Sequence, residues 1–177
     1  VNADTHGGIK NINVAKMEFE TDLDTFKADA ATVIPAQKAG AIAMSAGVNK
    51  GDWCPIVPSS MQSQADENIY VLGDASVAKS MPKSGFSANS QAKVAANHIR
   101  GALTGSKVFP ARYSNTCWSM VATDHGIKVG ASYKSGTEKI EKTSGFVSKK
   151  GESSEIRKAT FEESVGWYSG ITSDMFS

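Results

Sequence analysis

Several things are missing from these 177 residues, and each absence excludes a class of function. No stretch reaches the roughly 20 apolar residues needed to cross a bilayer, and the first residues lack the basic, apolar and small-residue order of a signal peptide. The chain starts at Val1 rather than Met, so its start reads as a processing or expression boundary and says nothing about compartment. Lys and Arg nearly balance Asp and Glu, and no basic block exceeds Lys149-Lys150. Nucleic acid and anionic membrane surfaces both call for a clustered cationic face, so neither is expected as a partner. The two cysteines, Cys54 and Cys117, form no CxxC pair, and with His6, His98 and His125 they give no metal-ligand spacing. The GxGxxG fingerprint that cradles a dinucleotide pyrophosphate is absent. Gly101 to Lys107, GALTGSK, misses the spacing of a phosphate loop.

What is present is ordered. Residues 12–34 alternate around Met17, Phe19 and Phe26, and the TDLDT tip supplies turn chemistry, so they read as a hairpin feeding a further strand, Ala31 to Ile34, that stops at Pro35. Residues 36–47 read as a short helix of small residues ended by Gly47. Ile69-Tyr-Val-Leu72, bounded by Asn68 and Gly73, has the form of a buried parallel strand. The helix after it places Ala88, Ala92, Ala95, Ile99 and Leu103 on one face, with Ser84 or Ser87 as N-cap and Gly101 and Gly105 near its end. Beyond Phe109-Pro110 the composition shifts. Strand-like runs at 113–134 and 137–149, punctuated by Gly126, Gly136 and Gly145, suggest an antiparallel sheet, and Thr160 to Phe176 is a closing helix with Phe161, Val165 and Trp167 or Tyr168 at helical spacing.

The stretch of most chemical interest is the apolar run ending in Gly73-Asp74. A carboxylate at the carboxyl edge of a sheet suits hydrogen bonds from a polyol chain, and the amides that open the next helix carry partial positive charge. A flavin, which gains negative charge on one edge when reduced, is one ligand such a helix end would stabilise, and Ser84, Gly85, Ser87 and Ala88 are small enough to admit a flat ring. The same pattern also occurs as an ordinary strand-turn-helix with tight packing. Cys54, held between Trp53 and Pro55, reads equally as a small buried apolar residue, and Trp167-Tyr168 as core anchors of the last helix.

YVLGDAS followed by MPKSGFSANSQAKVAA resembles the second flavin-binding motif of two-dinucleotide-domain flavoproteins, most closely the flavoprotein subunits of flavocytochrome c sulfide dehydrogenases. ADAATVIPAQKAG at 28–40, GDWCPI at 51–56, YSNTCWSMVA at 113–122 and GWYSGITSDMF near the end extend the likeness. The resemblance implies an α/β fold: the C-terminal part of a two-dinucleotide-domain FAD/NAD-type flavoprotein, followed by a small α+β C-terminal domain. Residues 1–50 would end the second, NAD-type domain, 51–109 would be the returning part of the FAD-binding domain, and 110–177 the family's C-terminal domain.

By the same resemblance Asp74 would hold the ribityl chain of FAD, with Gly73 also at the cofactor, and Lys83, Ser84, Gly85, Ser87, Ala88, Asn89 and Gln91 would form the helix start beneath the isoalloxazine. Trp167 packs near the ring, and Cys54 belongs to a redox-active disulfide whose partner lies in an earlier part of the family's chain rather than at Cys117. Trp118 stands where some relatives have Tyr. The implied activity is FAD-dependent sulfide:cytochrome c oxidoreduction in the periplasm, with sulfide as substrate, a c-type cytochrome subunit as partner, and a missing N-terminal half in the same or a separate chain. These residues alone are expected to bind FAD weakly or not at all and to be inactive. The alternatives are a non-catalytic binding or assembly module, and a related flavoprotein using quinone.

Overall fold

The computed structural model describes residues 3–176 as a mixed α/β chain with two small antiparallel sheets, in two compact units, Val1–Gln37 and Lys38–Ser177. In the first unit a one-turn helix α1 (Ala3–His6) precedes strands β1 (Ile9–Asn13), β2 (Glu18–Thr21) and β3 (Thr25–Lys27), paired antiparallel in chain order. The expected hairpin is there. Its tip is locked by Thr21, whose hydroxyl accepts the Asp24 N–H at 3.1 Å while its own N–H donates to the Asp24 carbonyl at 2.8 Å. Phe19 and Phe26 pair across the strands and stack at 5.3 Å. The strand expected over Ala31 to Ile34 does not form. A bend at Asp29-Ala30 ends the pairing, Pro35 has no N–H for a ladder, and Ile34 is left 81% exposed.

The second unit opens with a shorter helix than expected, α2 (Ala41–Ser45), closed by Gly47 in the left-handed region at φ 68°. Residues 48–84 carry isolated bridges in place of strands. Ile69 to Leu72 is a correction to the expected buried parallel strand: Tyr70 makes one antiparallel bridge to Gln62, no continuous ladder runs beside it among the described residues, and Leu72 is exposed. An apolar run becomes a strand only where a neighbour satisfies its amides and carbonyls.

Helix α3 (Gly85–Thr104) begins at the N-cap Ser84, which accepts the Ser87 N–H at 3.1 Å, and ends at Gly105, φ 67°. Its buried residues are Ser87, Gln91, Val94, Ala95 and Gly101, about one position away from the expected alanine face, and Leu103 is 81% exposed. Counting apolar residues alone misplaced the face, because two of its inward positions are polar. Strands β4 (Arg112–Ala122), β5 (His125–Ser135) and β6 (Ile140–Val147) form the expected antiparallel sheet in chain order.

Alternation gives that sheet two different faces. Tyr113, Asn115, Ala131 and Tyr133 are buried; Asn115 bonds to the start of α3, and the other three share a core with Val94 and Ala95 of α3, Ile56, Met61, Met81 and Ile140. Met61 and Ile140 are fully buried, each burial stabilising by roughly 1.5–3 kcal/mol. Tyr113 donates its hydroxyl to the Pro58 carbonyl at 2.6 Å, and burial pushes that phenol well above its ordinary range. Helix α4 (Ser154–Phe176) lies against the face carrying Trp118, Met120, Gly126 and Lys128. It starts earlier than the sequence suggests. Its inward residues are Thr160, Phe161, Ser164 and Trp167, while Val165 and Tyr168 point outward, 54% and 67% exposed.

Candidate functional site

Gly73 has φ 68°, a conformation L side chains rarely adopt, and it starts a single 3-10 turn, Gly73–Ala75. Its N–H donates to Gln91 Oε1 at 2.7 Å, and its carbonyl accepts the Ser76 hydroxyl at 2.8 Å. A Cβ built on Gly73 would lie 3.4 Å from that of Ala88, so the turn is pressed against the first turns of α3. This leaves Asp74 exposed at the head of the helix, a carboxylate open to hydroxyl donors.

Lys83 closes the arrangement from the other side. Its ammonium donates to the carbonyls of Asp74 and Ser76, the latter at 3.1 Å, and sits 3.7 Å from the centroid of the Trp53 ring. Burial lowers its pKa, while the charges of Asp74 and Cys54 act to raise it. Trp53, Gly73, Ser76, Met81, Lys83 and Gln91 line a cavity of about 210 Å³.

The start of α3 is tied to the sheet through Asn115. Asn115 Oδ1 accepts the hydroxyls of Ser84 at 2.5 Å and Ser87 at 3.1 Å, and its Nδ2 reaches Cys117 Sγ at 3.4 Å. Beside this helix end lie three aromatic rings. Phe86 stacks on Trp167 at 5.5 Å and 11°, and Trp118 completes the group at 5.6 Å from Trp167 and 6.0 Å from Phe86. A Cβ on Gly85 would lie 3.9 Å from the Trp167 ring, an ordinary van der Waals contact, so the indole packs directly against the helix end. Glu163 fixes the outer indole: it accepts Trp118 Nε1–H at 3.3 Å and Lys128 Nζ at 2.6 and 2.7 Å.

Residues 109–176 match the family model described as flavocytochrome c sulphide dehydrogenase, flavin-binding. This part of the chain is thus similar to that family's flavin-binding domain. The match begins where the composition shifts at Phe109-Pro110, and it takes in Asn115, Trp118, Glu163 and Trp167. The matched model is that of a flavin-binding domain, consistent with FAD as the cofactor. The donor set suits one: an aromatic platform, helix amides ahead of the first intrahelical bond from Ala88 N–H to Ser84 O, a lysine, and an exposed carboxylate.

Of the residues expected at the flavin site, Gly73, Asp74, Lys83, Ser84, Gly85, Ser87, Ala88, Gln91 and Trp167 converge on this helix end. Ser87 and Gln91 are each 1% exposed and bonded internally, so they hold the frame. Asn89 sits half-buried on α3 outside these bonds.

Cys54 is fully buried, packed with Ala39, Ala43 and Val48. Its N–H donates to Ala75 O at 2.9 Å and its carbonyl accepts Val77 N–H at 2.8 Å, a parallel bridge to Ser76 that connects it to the Gly73–Ala75 turn. Both cysteines are free thiols. Sequence reasoning passed over Asn115, Phe86, Lys128 and Glu163. Asn115 left a signal, a polar residue at an inward position of an alternating strand. The ion pair left none, since its partners are 35 residues apart.

Proposed function

We propose that the chain is the C-terminal portion of an FAD-dependent sulfide dehydrogenase. The reading takes residues 1–50 as the end of an NAD-type domain, 51–109 as the returning FAD-domain segment and 110–177 as the C-terminal domain. Sulfide would attack a disulfide containing Cys54, and the electrons would pass by way of the flavin to a c-type cytochrome in the periplasm. The bound flavin supplies the conversion of an electron pair into single electrons.

The observation that carries the reading is the bonding of the flavin-binding domain to the Gly73-Asp74 and α3 segment, through Asn115 and the three-ring stack, because the matched domain and the resembling motif then form one surface. In this reading Asp74 accepts hydrogen bonds from the ribityl hydroxyls. The amides of Gly85 and Phe86 would stabilise the negative charge that a bound flavin gains on reduction, and Phe86, Trp118 and Trp167 would exclude water beside it. The sulfur nucleophile would attack the disulfide at the sulfur that is not Cys54, and Cys54 would leave as the thiolate.

The test is sulfide-dependent bleaching of flavin absorbance in the complete flavoprotein containing this chain, followed by reduction of cytochrome c. Cys54→Ser is expected to abolish bleaching while flavin and cytochrome binding persist. Unchanged bleaching would overturn the role of Cys54. Turnover with a quinone and none with cytochrome c would reassign the acceptor.

A further inference from the structure

We propose that Lys83 is the positioning cation of Cys54, its ammonium clamped across the two backbone segments that hold the cysteine so that a thiolate there has a fixed counter-charge. The inference rests on the reading of Cys54 as a redox thiol and assigns Lys83 a duty separate from flavin binding.

Cys54 has no exposed surface, and its neighbours from the α2 side are Ala39, Ala43 and Val48. Burial pushes its thiol up, away from the thiolate that sulfur chemistry uses, and the charge of Lys83 opposes this only in part, so the thiol stays above its ordinary range. The geometry around that charge is specific. Trp53 precedes Cys54 in the chain, and Lys83 Nζ stands 3.7 Å from its ring centroid. Ser76 pairs with Cys54 across the parallel bridge, and Lys83 Nζ donates to its carbonyl at 3.1 Å and also to the Asp74 carbonyl. Two carbonyls and an aromatic face therefore immobilise the ammonium against the segments on either side of the sulfur.

The charged groups around this arrangement include Lys79, exposed, which lines the same cavity as Lys83. Asp74, exposed, supports the ammonium on the turn side, and Lys38, Lys50 and Asp52 flank the α2 side, all three exposed. When the thiol ionises, its proton leaves to solvent and the electron pair stays on Sγ, with Lys83 as the neighbouring cation. A thiolate stabilised in this way is also the better leaving group from a disulfide.

The experiment is a thiol titration of the full chain in a Cys117→Ser background, following thiolate ultraviolet absorbance against pH, with Cys54→Ala as blank and circular dichroism confirming the fold. Lys83→Gln is expected to move the Cys54 midpoint upward, Lys83→Arg to keep it near the parent, and Lys79→Gln to leave it unchanged. An unmoved midpoint in folded Lys83→Gln, or an equal rise in Lys79→Gln, overturns the proposal. Should Lys83→Gln not fold, the reciprocal measurement decides. In Cys54→Ala the Lys83 ammonium, followed by NMR, should lose its proton at lower pH than in the parent, and an identical titration refutes the coupling. Neither measurement needs flavin or sulfide. A failed thiol titration with intact flavin binding removes only the role of Lys83, and a failed flavin titration with a shifted thiol removes only the flavin reading.

Discussion

Asn115 accepts two serine hydroxyls while 4% exposed, and both serines belong to the start of α3. Asn115→Leu would leave those hydroxyls without their acceptor, so urea unfolding should show a loss of about 1–3 kcal/mol. Glu163 makes a second prediction. Lys128's hydrogen bonds, and after them Trp118's, hold its carboxyl below the ordinary carboxylate range against the opposing effect of burial. A depressed acid contributes stability that is complete above its unfolded-state pKa and is lost as pH falls through the folded one. Acidification below the ordinary glutamate range should therefore release the Trp118 indole and change its emission, and Glu163→Gln should largely flatten that change. The carboxylate is half exposed, so the stability at stake is only about 0.2–1 kcal/mol. At this scale the sequence spoke where the chemistry is local. Ser84 is the cap it suggested and Gly73 the turn, whereas Trp118 and Glu163 meet only because α4 folds back across the sheet.

Gly126 shows how the elements depend on one another. A Cβ there would meet the backbone nitrogen of Phe161 at 2.8 Å, and backbone cannot rotate out of the way as a side chain can. Gly126→Ala is expected to destabilise by roughly 1–3 kcal/mol and to shift α4 outward, which near-ultraviolet circular dichroism of Trp118 and Trp167 would record. Gly105→Ala should cost about 1 kcal/mol, since the C-cap sits at φ 67°. The elements the sequence made legible were those whose pattern is self-contained: the hairpin of β2 and β3, the three-stranded sheet, α3 and α4. Ile69 to Leu72 and Ala31 to Ile34 misled because an apolar β-branched run is only half of a strand. The other half is a neighbour, which no local pattern contains.

Across the whole molecule, the motif at Gly73-Asp74 and the matched domain at 109–176 are distant in sequence and adjacent in space. The resemblance supplied the cofactor and the cysteine, and the folded chain supplied the frame: Asn115 as the bond between segments and the Phe86, Trp118 and Trp167 stack as the platform. Large apolar side chains remain exposed along α3 and α4, Leu103 at 81% and Tyr168 at 67% among them. In the proposed reading a flavin rests at the start of α3 against Trp167. Titration with FAD of the complete flavoprotein containing this chain, stripped of flavin and read as quenching of tryptophan emission, is the direct test. Saturable quenching is expected in the parent, and it should be largely lost in Trp167→Leu while Trp118 still emits. Quenching that never saturates, or that saturates identically without Trp167, would contradict it.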